Sequence, residues 1–211
     1  MTLAMQETTA ASFQADSGAT AAQMADLDRF RDLLTEANAV MNLVGPGSLP
    51  EFWSRHVLDS AQLLALAPEA LTWADLGAGA GFPGVVLAIL LKGQPGAHVW
   101  LIDSLGKRCR FLETVVTSLD LPATVINGRA ETQALNVDVV TARALAPLDS
   151  LLGYAQPYFK RGAKGLFLKG EKAEAEIAAA RANWRFDAEL SQSRSDTRGR
   201  IVQVRSLRRV P

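Results

Sequence analysis

The stretch Trp73-Ala74-Asp75-Leu76-Gly77-Ala78-Gly79-Ala80-Gly81-Phe82-Pro83-Gly84 decides the fold. The run from Thr72 to Leu76 has strand composition and ends in an acid and a leucine. Four glycines follow within eight positions, and Val85, Val86, Leu87, Ile89, Leu90 and Leu91 then read as a buried helix with Pro83 in its first turn. A strand, a glycine turn and a helix in that order let a backbone free to take positive φ approach a ligand closely.

Two nucleotide-cofactor classes use such a loop. Gly79-x-Gly81-x-x-Gly84 satisfies the dinucleotide pattern, and Asp103 ends the next expected strand at about the spacing of roughly 20 residues that the fingerprint requires. A pyrophosphate, however, needs N–H donors and positive potential at the helix start. Here Pro83 removes a donor, and Asp75 is expected to bring a carboxylate to the mouth of the loop. S-adenosylmethionine (SAM) carries a sulfonium and an ammonium, which suit an acid there, and Asp103 can accept from both ribose hydroxyls. The residues therefore favour SAM over NAD.

The 211 residues are 48% hydrophobic and 21% charged, enough for one well-buried domain with a small appendage. No run of 18 apolar residues occurs, and no Lys or Arg precedes Arg29, so neither a membrane span nor a secretory leader is expected and the location expected is cytoplasmic. The single cysteine, Cys109, excludes an internal disulfide and a CxxC metal site, and with His56 and His98 as the only histidines no metal site is expected. A net charge of zero conceals an asymmetry. Residues 1–103 hold 4 basic and 11 acidic side chains, whereas 104–211 hold 18 and 11, so the halves carry −7 and +7. Three clusters are dense enough to suggest RNA: Lys107-Arg108-Arg110, Lys160-Arg161-Lys164 and the C-terminal arginines.

Residues 1–20 show no periodic apolar face and are expected to be frayed or disordered. A helical cap over 21–70 follows. Its first helix carries Met24, Leu27, Phe30, Leu34 and Met41, Gly45-Pro46-Gly47 breaks it, and a second helix runs from about Leu49 to Leu66. From residue 71 to 211 strands alternate with helices: strands at 72–77, 98–103, 122–127, 137–142 and 164–169, helices at 83–92, 107–119, 147–159 and 171–182. Two late strands near 184–190 and 200–207 predict an antiparallel edge hairpin. This pattern is that of an α/β doubly wound, Rossmann-like sheet with ligands at the carboxyl ends of its strands.

The segments NLVGPGSLPEFWSRHVLDS, DLGAGAGFPG, LIDSLGKRCRFL, Gly128-Arg129-Ala130-Glu131, TARALAPL and FLKG stand in the order found in the RsmG (GidB) family, and the chain resembles that family over about residues 22–207. The resemblance implies a SAM-dependent methyltransferase fold acting on guanine N7 in 16S ribosomal RNA, with the RNA or a small-subunit ribosomal particle as partner and a monomer as the working unit. It implies that Asp75, Gly77, Gly79, Gly81 and Phe82 form the SAM loop, that Asp103 serves the ribose, that Ala130 and Glu131 sit at the adenine end, and that Arg143 reaches cofactor or target. His56, Asp59, Lys107, Arg108 and Lys169 are the expected substrate-side residues. Another RNA target, an NAD(P)-linked reductase, or a non-catalytic SAM- or RNA-binding module are the alternatives.

Residue chemistry bears on these roles independently. Arg143 stands where enzymes that methylate exocyclic amines carry an Asn/Asp-Pro-Pro-aromatic loop, and Arg143-Ala144-Leu145-Ala146 lacks it. Guanine N7 offers an in-plane lone pair with no proton to remove, so alignment by an arginine replaces a general base. Phe82, following three loop glycines, is expected to cover the ligand. Glu131 is either an adenine reader or a surface acid paired with Arg129, and His56 either a hydrogen-bonded partner of Asp59 or an RNA or cofactor contact. Cys109, among Leu105, Phe111 and Leu112, reads as core packing rather than a nucleophile.

Overall fold

A computed structural model describes residues 8–45 and 47–210. Seven strands form one sheet in the order β3-β2-β1-β4-β5-β7-β6. They are β1 (Thr72–Leu76), β2 (His98–Asp103), β3 (Ala123–Asn127), β4 (Val139–Arg143), β5 (Lys164–Lys169), β6 (Trp184–Gln192) and β7 (Arg200–Arg209). The first five are parallel, and β7 lies antiparallel between β5 and β6. The late hairpin is therefore present, but its second strand is inserted into the sheet and only β6 is an edge. Strand order reverses between β1 and β4, and ligands collect at such a switch point, at the carboxyl ends.

Alternation along β1 shows how the sheet is covered on both faces. Trp73 packs into one apolar cluster with α4 (Gly84–Leu91), α5 (Gly106–Ser118) and the N-terminal helices, while Ala74 and Leu76 join α6 (Leu148–Phe159) and α7 (Ala173–Ala180) on the other face. Because α4 lies between the sheet and the cap, seven of its eight residues are buried, which explains its lack of a polar face.

The cap is α2 (Ala21–Met41), a π-helical segment Phe52–Leu58, and α3 (Asp59–Ala65). Met24, Leu27, Phe30 and Leu34 bury one stripe of α2, and Gln23 Nε2 donates to the Leu90 carbonyl at 2.8 Å while Lys92 pairs with Asp26 at 3.0 Å, tying α2 to α4. The expected single helix over 49–66 is thus two segments of different pitch. Pro46 of the expected break and residues 1–7 of the expected frayed tail lie outside the described residues. Residues 10–17 are not frayed: Ala10–Ser17 form α1, closed by a Thr9/Ser12 capping box, and its one large apolar residue, Phe13, is 1% exposed against Trp53 at 5.8 Å. One aromatic and a cap anchor this helix without the periodic stripe that sequence reading looks for.

Candidate active site

The glycine turn is pinned at both ends by carboxylates. Gly77, Gly79 and Gly81 have φ of 71°, 54° and 96°. A Cβ on Gly77 would meet Leu145 Cδ1 at 2.5 Å, the tip of an exposed side chain that can swing aside, so there the positive φ is what requires glycine; one on Gly81 would come within 2.7 Å of Val85 Cγ2 and 3.1 Å of Phe30 Cζ, so there conformation and space both require it. Asp75 Oδ2 accepts the Gly84 N–H at 2.9 Å, and Oδ1 accepts the Thr141 hydroxyl at 3.2 Å. With 1% exposure, Asp75 does not reach the loop mouth as expected; strand alternation turns it inward, where it anchors the first turn of α4. Burial pushes its carboxyl up to about 7, against the pull of the Gly84 and Thr141 hydrogen bonds.

Asp103 does stand at the carboxyl end of β2, beside the turn. Its Oδ2 accepts from Gly79 N at 3.0 Å and its Oδ1 from Leu105 N at 2.8 Å, with the Arg108 guanidinium 3.6 Å away. An ionised carboxylate has about four acceptor sites, so capacity remains for a ribose hydroxyl. Ala130 and Glu131 lie in a short helical turn after β3. There the Ala130 carbonyl accepts from Tyr158, and half-buried Glu131 pairs with Arg129 at 3.1 Å. Cys109 is buried, its thiol donating to the Asp103 carbonyl.

Phe82 is 4% exposed and is an interior aromatic, contrary to the expectation that it covers a ligand. It stacks on His56 (centroids 4.4 Å apart, planes at 14°), packs against Phe30 and Phe52 of the cap, and carries the Arg143 guanidinium 4.9 Å above its ring. The cap supplies the partners because it folds over the turn.

Arg143 is the node of the other half of the site. Its Nη1 donates to the Arg55 carbonyl at 2.8 Å and approaches Asp59 Oδ2 at 3.5 Å; its Nη2 donates to His56 Nδ1 at 2.9 Å. Arginine always donates, so His56 Nδ1 must accept and the imidazole is neutral with its proton on Nε2. Burial, with Arg143 and Arg55 adding to it, holds His56 down at about 3. His56 and Asp59 thus meet through Arg143 and not each other. Three of the five guanidinium N–H groups are engaged, leaving Nε and one Nη2 hydrogen without a partner among the described residues.

Arg143 and Ala144 line a cleft of about 790 Å³ together with His56, Asp59, Lys169 and the 193–199 loop. The segment Arg143–Leu145, with Ala144 at φ 53°, therefore borders both halves: Arg143 and Ala144 line the cleft, and Leu145 lies over Gly77 of the glycine turn. Lys169 is no free phosphate ligand: Nζ donates to the Ala146 carbonyl at 2.8 Å and pairs with Glu176 at 2.6 Å, and Glu176 also accepts the Leu148 N–H at 2.7 Å. The pair braces the Arg143–Leu148 segment. Lys107 is exposed at the start of α5 and faces a groove against α2, while Arg108 lies against Asp103. Sequence reading did not find Thr141, Leu145, Glu176, Gln62, Ser193 or Ser195, whose roles depend on partners remote in the chain. Among the described residues no group of three or more His, Cys, Asp or Glu could hold a metal ion.

Of the three basic clusters, only Lys107-Arg108-Arg110 lies at the carboxyl edge. Lys160, Arg161 and Lys164 join α6 to the start of β5, and Arg208 and Arg209 pair with Arg185 and Trp184 at the start of β6, so both groups belong to the opposite edge.

The fold recurs in known proteins. The chain overlays a SAM-dependent methyltransferase of Aquifex aeolicus at a TM-score of 0.58, with 16% identity over 80% of this chain and 97% of that one. It overlays the magnesium protoporphyrin IX methyltransferase of Synechocystis with bound SAH at 0.56, with 16% identity over 86% and 100%. Likeness at that identity is likeness of fold. In sequence it is 62% identical over 201 residues to the Ribosomal RNA small subunit methyltransferase G of Caulobacter vibrioides, covering 95% of this chain and 93% of that protein. It is 46% identical to the protein of the same name from a Bradyrhizobium, covering 87% and 84%. The model of the family GidB, rRNA small subunit methyltransferase G, matches residues 23–201, and the chain belongs to that family.

Proposed function

We propose that this protein transfers the methyl group of SAM to N7 of one guanine in 16S ribosomal RNA, acting as a cytoplasmic monomer on the RNA or a small-subunit particle. The residues fit the cofactor: Gly77, Gly79 and Gly81 hold a positive-φ turn at the carboxyl end of β1, Asp103 retains acceptor capacity for the ribose, and exposed Leu105 and Leu145 offer apolar cover. When bound there, SAM supplies an electrophilic methyl group.

The Arg143 node carries this reading. Its two unpartnered N–H groups can hold the guanine O6 carbonyl while N7 keeps its lone pair for the methyl, and its other three are spent on fixing the fork. The carboxylate nearest Arg143 is engaged: Asp59, which lines the same cleft, is held by Arg143, Ser193 and Ser195. His56 Nδ1 is occupied by Arg143, and both oxygens of Asp75 are bonded in the interior. That arrangement suits an acceptor with no proton to lose. The test is incubation with labelled SAM and small-subunit particles from cells lacking this gene, followed by nucleoside analysis. One new 7-methylguanosine per particle is expected; a methylated exocyclic amine or ring carbon would overturn the reading.

A further inference from the structure

The acceptor side carries a charged rim that the chemistry above leaves unused. Because β7 is antiparallel to both β5 and β6, β6 runs parallel to β5 and the loop Ser193–Gly199 emerges at the carboxyl edge, where it lines the cleft. The cap holds this loop firmly. Asp59 Oδ1 accepts from the Ser195 hydroxyl at 2.6 Å and the Ser193 hydroxyl at 3.2 Å. Gln62 Oε1 accepts the Arg194 N–H at 2.8 Å, and its Nε2 donates to Ser193 at 3.0 Å. From the start of β7, Arg200 donates to the Thr197 and Gly199 carbonyls, at 2.9 Å each.

A loop so cross-linked is a fixed support, and what it presents outward is positive charge. Arg194 is exposed and its guanidinium has no partner among the described residues. Arg198 is 75% exposed and stands 3.7 Å from Asp196, too open to solvent for that pair to cancel it. Arg55, 56% exposed, lines the same cleft. The carboxylate that holds the rim through Oδ1 also faces Arg143 through Oδ2, so one residue, Asp59, fixes both.

We propose that the Ser193–Gly199 loop is a docking rim for the RNA backbone, in which Arg194 and Arg198 take phosphodiesters beside the nucleotide whose base enters the cleft. The inference rests on the RNA reading above and adds where the backbone lies. N7 is on the major-groove edge, which is deep and narrow in A-form RNA, so the target must be unpaired or extruded, and an extruded base needs its flanking phosphates held.

The test compares Arg194→Glu/Arg198→Glu with wild type on small-subunit particles from cells lacking the gene, with Lys160→Glu/Arg161→Glu at the opposite edge as control. The rim variant should raise KM for particles about tenfold or more at moderate salt and flatten the log–log salt dependence by about 1.5, the loss of two phosphate contacts. Its kcat at saturating particles, SAM affinity and Tm should be unchanged, and the control should match wild type throughout. Arg194→Gln/Arg198→Gln should give an intermediate KM, and serves if charge reversal disturbs folding. An unchanged KM and salt slope in both rim variants, or an equal KM rise in the control, would overturn the rim. If wild type itself forms no 7-methylguanosine on these particles, the proposed function fails instead.

Discussion

The two halves of the site are held together in different ways. The turn of the cofactor half is pinned mainly from within one stretch of chain, 72–106: Asp75 takes the N–H of Gly84, and Asp103 takes those of Gly79 and Leu105, with Thr141 bonding Asp75 from outside it. The acceptor half has no such continuity. Arg143 is fixed by Arg55, His56 and Asp59, and Asp59 and Gln62 reach across to Ser193–Ser195, so its geometry exists only once the cap, β4 and the β6–β7 loop have packed together. Lesions in the first half should therefore act on cofactor binding, and lesions in the second on methyl transfer at a normal cofactor affinity.

The largest effect should come from Gly77→Val. A β-branched residue at φ 71° is strained, and its Cβ meets Leu145, so SAM binding by calorimetry should disappear while the protein stays folded. Unchanged affinity in a folded variant would place the cofactor elsewhere. Next, Arg143→Lys keeps a charge but cannot serve the Arg55 carbonyl, His56 and Asp59 together. Single-turnover transfer should slow about a hundredfold at saturating SAM, with little change in SAM Kd. A loss falling on SAM Kd instead would move Arg143 to the cofactor half. Asp103→Ala should weaken SAM and S-adenosylhomocysteine alike, by about 1.5–3 kcal/mol, the value of hydrogen bonds to a charged group. A loss confined to SAM would point to the sulfonium rather than the ribose.

The smallest effect separates the halves by pH. Folding raises Asp75 from 3.8 to about 7, so as pH climbs the unfolded chain releases that proton first, and stability falls between about 4 and 7. Folding lowers His56 from 6.5 to about 3, so as pH drops the unfolded chain takes up that proton first, and stability is lost from 6.5 downward. The slopes oppose each other between about 4 and 6.5. Asp75→Asn should leave a stability that rises with pH in that window and His56→Gln one that falls, each by at most about 1.4 kcal/mol per pH unit. Denaturation at several pH values checks this, and parallel profiles for the two variants would contradict it.

The same division explains what was legible in the sequence. The strand, glycine turn and helix around Gly77–Gly84 and the strands ending at Asp103 and Lys169 follow local period and composition, and they lie where the pattern puts them. Phe82 and Asp75 were misjudged although they sit in that same legible stretch, because which way a side chain faces depends on the cap and on Thr141. Lys169, expected on the substrate side, is taken up by an ion pair with Glu176, which only the packing of α7 brings against it. The C-terminal and Lys160 clusters were dense enough to suggest RNA, but only strand direction reveals that they leave the sheet at the edge away from the site. The helix at Ala10–Ser17 escaped notice because a single phenylalanine anchors it.

The central claim is that the acceptor is a nitrogen with no proton to lose, held by an arginine fixed from behind. The most direct measurement is the single-turnover rate of 7-methylguanosine formation from about pH 6.5 to 8.5, read by mass spectrometry of digested ribosomal RNA. Arginine stays charged, and His56, held at about 3, stays neutral throughout; Asp75, raised to about 7, titrates within the window but is buried with both oxygens bonded to Gly84 and Thr141, so it can bend the profile only weakly. A nearly flat profile, kept flat though slower in Arg143→Lys, is the predicted result; a tenfold rise per pH unit would require a proton-abstracting base and contradict the account.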